Sequence, residues 1–203
     1  MNVYVETNFI LELAFEQEQC ASCEQLILLA ESSRIRLILP AYCLAEPQEK
    51  LIRQKKSRND LLSNASAVFN QLIRTTSLAS KAKSIQQDLS SVLAQSIEEE
   101  RKRFVIYRRR FLSVTEIIPL TGQILSEAID AETTLDLPAQ DALVYASIIS
   151  HIRQHGRTTS CFLNKNIKDF GAPDILSELA KYNCQLIPQF DQGLNYIQKQ
   201  LGQ

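Results

Sequence analysis

Short apolar runs alternate with amphipathic stretches along most of the chain. Val3-Tyr-Val5 reads as a buried strand, and a helix begins at about Thr7, where Thr7 and Asn8 suit a cap and Phe9, Ile10, Leu13 and Ala14 recur at helical spacing. A second helix passes through Leu26, Leu28, Leu29 and Ala30. Arg36-Leu-Ile-Leu39 is a strand stopped by Pro40, and a helix from about Ala41 runs through Glu46 and Glu49 to Lys56, with Pro47 predicting a kink or an irregular first turn. Later, Thr115-Glu-Ile-Ile-Pro119 is a short extended segment, followed by a helix from about Thr121 to Thr133. A Leu135-Asp-Leu-Pro138 loop leads into a helix from Asp141 to about His155. Ser160-Cys-Phe-Leu163 is a strand, Pro173 opens a helix to about Tyr182, Gln185-Leu-Ile187 is the last strand, and Phe190 to Leu201 the last helix. Strands alternating with helices predict a parallel sheet covered on both faces.

The segment from Asn59 to Phe111 differs. Leu61, Leu62, Ala65, Val68, Phe69, Leu72 and Ile73 fit one amphipathic helix, and Ile85, Leu89, Val92, Leu93, Ile97, Phe104 and Tyr107 fit another. Neither contains Gly or Pro, and Ser77-Leu-Ala-Ser80 is the predicted joint. We expect residues 1–203 to form one domain, with a helical hairpin across 59–111 as an embellishment.

A length of 203 residues with 45% hydrophobic content suffices for a substantial core. The absence of an uninterrupted apolar run long enough to span a bilayer, and of a signal-peptide pattern in the first residues, predicts a cytoplasmic protein with no membrane partner. Five Cys residues, an odd number, argue against a disulfide framework, and Cys20 and Cys23 read as small residues one helical turn apart. The five glycines form neither a P-loop nor a dinucleotide fingerprint, and there is no G-x-S-x-G elbow. His151 and His155 share a helix face at i,i+4 without an H-E-x-x-H pattern, and read as helix-end residues rather than ligands.

Net charge is only −1, yet it is unevenly distributed. Residues 50–110 hold 14 Lys and Arg against 5 Asp and Glu, so a block of net +9 sits in a remainder of net −10. Arg101, Lys102, Arg103, Arg108, Arg109 and Arg110 flank Phe104-Val-Ile-Tyr107. These cations suit an arm that holds nucleic acid, with Tyr107 available for base stacking. The competing reading is an intrahelical ladder, in which Glu98 and Glu99 reach Lys102 and Arg103 at i,i+4; Arg108 to Arg110 have no upstream acids at that spacing.

Acids recur where strands end. Glu6 directly follows the first strand, Glu46 lies one to two helical turns after the second, Asp141 begins the helix after the Leu-Asp-Leu-Pro loop, and Asp169 follows the strand that ends at Leu163. Taken singly, Glu6, Asp141 and Asp169 fit helix-start carboxylates, an effect of about 0.3–1 kcal/mol, and Glu46 fits an exposed helix residue, but these readings do not explain why all four fall at strand-end positions. Ligands bind outside the carboxyl ends of strands in open α/β sheets, and clustered carboxylates suit a hard divalent cation such as Mg²⁺ or Mn²⁺. Asp136 reads as a loop residue, and Glu12 as an acid supporting the cluster from behind.

Val3-Tyr-Val-Glu-Thr-Asn-Phe-Ile-Leu-Glu-Leu resembles the opening motif of PIN domains, a strand followed by Asp-Thr-Asn and an apolar helix. Leu39-Pro-Ala-Tyr-Cys-Leu-Ala-Glu46 is similar to that family's second acidic motif, Leu135-Asp-Leu-Pro-Ala-Gln-Asp141-Ala-Leu to the third, and Asn164-Lys-Asn-Ile-Lys-Asp-Phe170 to the fourth. The resemblance implies an α/β, PIN-like three-layer fold with a central parallel sheet flanked by helices, plus the hairpin. It implies an Mg²⁺- or Mn²⁺-dependent endoribonuclease acting on RNA, with Glu6, Glu46, Asp141 and Asp169 as metal-site acids and Asn8 and Asn166 as polar neighbours. An antitoxin or other protein partner and a homodimer are further expectations of the resemblance. Three departures bear on it: Glu6 stands where the family has Asp, which favours weaker activity or a preference for Mn²⁺; Asn164 replaces Thr or Ser; and the 59–111 segment exceeds that of compact toxin members. The rival readings are a PIN-like module that binds RNA or protein without productive cleavage, the toxin of a toxin–antitoxin pair, and a structure-selective DNA nuclease.

Overall fold

The computed structural model describes residues 1–156 and 158–202. Its strands are β1 (Asn2–Val5), β2 (Arg36–Pro40), β3 (Glu116–Ile118), β4 (Ser160–Leu163) and β5 (Cys184–Ile187). The helices are α1 (Thr7–Phe15), α2 (Cys20–Glu31), α3 (Tyr42–Leu72), α4 (Ala79–Val114), α5 (Gly122–Thr134), α6 (Ala139–His155), α7 (Ile167–Phe170), α8 (Pro173–Lys181) and α9 (Phe190–Gly202). All five strands are parallel, in the order β3-β2-β1-β4-β5. β1 is central, with Val3 opposite Leu37 on one side and Cys161 on the other. Every residue of β1 and β4 is buried, which is why these strands read as continuous apolar runs instead of alternating ones.

The chain leaves β1 toward β2 and β3, then crosses back through α5 and α6 to β4 and β5. Right-handed crossovers therefore place the helices of the two halves on opposite faces. α1 and α2 pack with α4 and α9, while α6 pairs with α5 and lies against β2 and β3. Phe9 of α1 anchors the first layer, its ring edge-to-face with Phe111 of α4 at 5.8 Å and with Phe190 of α9 at 5.2 Å. Gly193 of α9 lies so close to the sheet that a Cβ there would meet the Leu163 side chain at 2.5 Å.

α3 does not stop near Lys56. It runs unbroken for 31 residues from Tyr42 to Leu72, because after Pro47 nothing in the sequence breaks it. The predicted joint at Ser77–Ser80 falls a few residues early, at 73–78, where Arg74 and Thr75 donate to carbonyls three residues back. α4 returns over 36 residues, and its Glu100 takes a bidentate pair from Arg58 of α3 at 2.6 and 2.7 Å. Of α3 only Cys43 and Pro47 are fully buried, so the packed end of the hairpin is the one beside the sheet. Pro47 lies within the helix, and the irregularity it predicts appears just before it, as a three-residue turn from Leu44 N to Ala41 O. The five cysteines are free thiols, with Cys20 and Cys23 both on α2.

Candidate functional site: an acidic cleft beside the central strand

The sheet order reverses direction at β1 and β4: the chain leaves β1 for one half of the sheet and β4 for the other. Their carboxyl ends thus diverge, and a crevice opens between them. A cleft of about 480 Å³ opens here, lined by Glu6, Thr7 and Asn8 after β1, Glu46, Lys50, Arg53 and Gln54 on α3, Gln140 and Asp141 on α6, and Asn166 after β4.

Each acid is held by its own local geometry. Glu6 caps α1 with extended backbone, and its Oε2 accepts from the Asn8 N–H at 2.9 Å. Its Oε1 is buried with no partner, and the residue is only 6% exposed. Burial pushes the Glu6 carboxyl up to about 8; the hydrogen bonds of Asn8 oppose this, and Glu46 and Asp141 add to it. The hydroxyl of Thr7 donates to Glu46, tying α1 to the second turn of α3. Asp141 lies in the first turn of α6, which begins at Ala139, two residues before the expected start. Burial, then Asp169 and Glu46, push its carboxyl up to about 6. The Asn166 amide donates to Asp141 Oδ2 at 3.1 Å and to Asp169 Oδ2 at 2.7 Å, bridging the last two acids. Asn164, where the family motif has Thr or Ser, is buried, and its Oδ1 accepts from the Asn166 N–H at 2.7 Å, which shapes the turn.

The structure brings Glu6, Glu46 and Asp141 to the cleft wall with Asn8 and Asn166. Asp169, on the short helix α7, joins them through Asn166 and is not itself part of the lining. Among the described residues, no three ligand atoms of these acids gather within 4.8 Å of one another. The donor set is nevertheless all oxygen, and the partnerless Glu6 Oε1 is a buried acceptor that a cation would satisfy, so the residues fit a hard divalent ion.

Glu12 stands apart from the cleft. It is 1% exposed, and its two oxygens accept from the Gln19 N–H at 2.6 Å and Lys165 Nζ at 2.9 Å, which anchors the loop that carries Asn166. Asp136 is an exposed loop residue with left-handed backbone, φ 52°.

None of the six arginines and lysines singled out on α4 lines the cleft. Arg101 and Lys102 pair with Glu98, in keeping with the ladder reading. Arg103 donates to the Ala14 carbonyl and pairs with Glu16 and Glu99. Arg108 lies over the Phe104 ring at 5.3 Å, and Arg109 is exposed. Arg110, which has no acid three or four residues upstream on its own helix, binds Glu24 and Glu31 of α2, each at 2.7 Å, and the Tyr107 hydroxyl donates to Glu24. Spacing along one helix did not reveal these tertiary partners. The cations that do reach the cleft are Lys50 and Arg53, four and seven residues beyond Glu46 on α3. Their i+4 and i+7 spacing from an acid was the available signal, hidden among the many charges of that block.

The family model described as PIN domain matches residues 3–170, a span that includes all four acids and the hairpin. No curated protein and no solved structure matches the chain. No helix among the described residues is long and apolar enough to cross a membrane.

Proposed function

The chain belongs to the PIN domain family, whose members are generally nucleases that bind divalent metals, and from that premise we propose that it is a metal-dependent endoribonuclease. The observation that carries this reading is the buried, partnerless Glu6 Oε1 in a cleft shared with Glu46 and Asp141 and edged by Lys50 and Arg53. Acids for a cation and cations for a phosphate sit on one cleft.

In this reading Glu6, Glu46, Asp141 and Asp169 hold Mg²⁺ or Mn²⁺. Such an ion polarises a phosphodiester and lowers the pKa of bound water. The chain's own contribution is placement. Thr7 fixes the Glu46 carboxylate, Asn8 holds one Glu6 oxygen and leaves the other for the ion, and Asn166 orients Asp141 and Asp169 together. Lys50 and Arg53 draw the RNA backbone to the cleft, and the exposed cations of α4, Arg109 among them, extend the positive surface along the hairpin. We treat residues 1–203 as one domain, with 59–111 as its embellishment, acting in the cytoplasm; an antitoxin-like inhibitor or a second copy of the chain are partners of the same proposal.

A second reading rests on two specific features, Glu6 in place of Asp and the loose spacing of the acids. In it, the same surface binds RNA or protein without efficient cleavage. Incubating the protein with mixed-sequence RNA in Mn²⁺, Mg²⁺ or EDTA separates the two. Internal cuts that need metal support the nuclease, whereas RNA retained intact in both metals supports the binding module.

A further inference from the structure

The three ligand atoms that do gather within 4.8 Å of one another, among the described residues, belong to Glu116, His151 and His155. They lie at the other end of the sheet. Glu116 opens β3, and the two histidines are on the last turns of α6, one turn apart. From Asp141 to His155 the helix rises through 14 residues, about 21 Å at 1.5 Å per residue, so this cluster is distinct from the acidic cleft.

Each of the three groups is oriented by a neighbour. The His155 Nδ1 lies 2.9 Å from the His151 carbonyl oxygen. A carbonyl only accepts, so Nδ1 carries the proton and Nε2 presents its lone pair. His151 is buried, its Nδ1 2.9 Å from the Tyr4 hydroxyl, which leaves Nε2 turned to Glu116 Oε1 at 3.1 Å. Arg36 holds the opposite oxygen of Glu116, Oε2, at 2.5 Å. The imidazoles stack at 3.9 Å with planes 17° apart and both Nε2 atoms lie near the same oxygen, that of His155 at 4.0 Å; the partly exposed His155 ring would turn out of the stack to bring its lone pair onto a shared ion. Ligands in a tetrahedral zinc site, bound at about 2.0–2.1 Å, stand about 3.3 Å apart. The distances of 3.1 and 4.0 Å bracket that value.

We propose that Glu116 Oε1, His151 Nε2 and His155 Nε2 form a binding site for Zn²⁺ that ties the C-terminal end of α6 to the edge strand β3. Two imidazoles and one carboxylate select a borderline ion over Mg²⁺ or Ca²⁺. Outer partners on every ligand, here Tyr4, Arg36 and a backbone carbonyl, are the arrangement that fixes ligand orientation in metal sites. Glu116 and His155 are each about a third exposed, which gives the ion an entry path and a fourth position open to water or a further ligand.

The test is zinc titration of the chelator-stripped full chain, followed by calorimetry and by thermal unfolding, with cobalt absorption to report the donor atoms. Wild type is expected to take up one Zn²⁺ per chain at this site, to melt several degrees higher with it, and to give cobalt bands without thiolate charge transfer. His155→Ala and Glu116→Gln, both at partly exposed positions, should weaken binding at least tenfold and abolish the shift. Cys20→Ser should leave both unchanged. Zinc affinity unaffected by His155→Ala and Glu116→Gln, or cobalt bands that disappear with Cys20→Ser, would overturn the assignment. Two variants guard against a folding defect in one, since a correctly melting Glu116→Gln with unchanged affinity is enough to refute it.

Discussion

Replacing Glu6 by Gln should stabilise the metal-free protein at alkaline pH. The carboxyl is buried with one oxygen unpartnered, and its pKa rises from 4.5 to about 8. A carboxylate raised in the folded state contributes its stability fully below the unfolded pKa, and that contribution is lost as pH climbs through the folded one. The window is therefore pH 4.5 to about 8. At about 1.4 kcal/mol per pH unit, its width sets an upper bound of about 5 kcal/mol, which relaxation and water entry reduce to about 2–3 kcal/mol. Gln keeps an acceptor for the Asn8 N–H and carries no charge, so Glu6→Gln escapes the loss. For a chain of this length that is about 4–12 °C in melting temperature. The assay is thermal or denaturant unfolding of both proteins in chelator from pH 4 to pH 9. The two should melt together near pH 4 and diverge above pH 5, the variant becoming the more stable. Added Mn²⁺ should then raise the wild type at pH 8 and leave the variant nearly unmoved, because a cation gives the orphaned oxygen its partner. A difference that does not change between pH 4 and pH 9, or a variant less stable than wild type at pH 9 in chelator, refutes this account of the Glu6 environment.

Two further outcomes follow from the geometry. Arg53→Ala should weaken RNA binding and flatten its dependence on log salt by about one unit, whereas Arg110→Ala, whose side chain is occupied by Glu24 and Glu31, should leave that slope nearly unchanged and cost about 1 kcal/mol of stability; filter binding at several salt concentrations and denaturant melts report both. Gly193→Ala forces a Cβ against Leu163 and should cost about 1–3 kcal/mol in denaturant unfolding, without altering the cleft residues.

The sheet was readable because its strands are buried on both faces, so Val3-Tyr-Val5 and Ser160-Cys-Phe-Leu163 stand out as apolar runs between polar turns. The positions of Glu6, Glu46 and Asp169 were readable for a related reason: a strand end is a local feature; Asp141 follows α5 and a loop instead, and was readable from its place at a helix start within the third acidic motif. Contacts between distant segments left no such trace. Arg110 meets acids 79 and 86 residues away, so helix periodicity could not reveal its partners. His151 and Glu116 are 35 residues apart and meet only because α6 runs back along the sheet to the start of β3. The continuity of α3 was missed for the opposite reason. The stretch after Pro47 is strongly charged, and a change in composition near Lys56 resembled a boundary although no breaker residue is present. Short α7 escaped notice because four residues are too few to show a period, yet it carries Asp169.

The most direct test of the proposed function compares wild type with Asp141→Asn on a mixed-sequence RNA in Mn²⁺, with EDTA as control. Asp141 is half-buried in the first turn of α6 and touches the cleft, Asn166 and the neighbouring acids, and Asn conserves its shape while removing its charge. The account predicts metal-dependent cleavage by wild type, abolished by EDTA and reduced at least a hundredfold in the variant, with the variant still folded and still binding RNA. Equal cleavage by the two proteins, or cleavage that persists in EDTA, would contradict it.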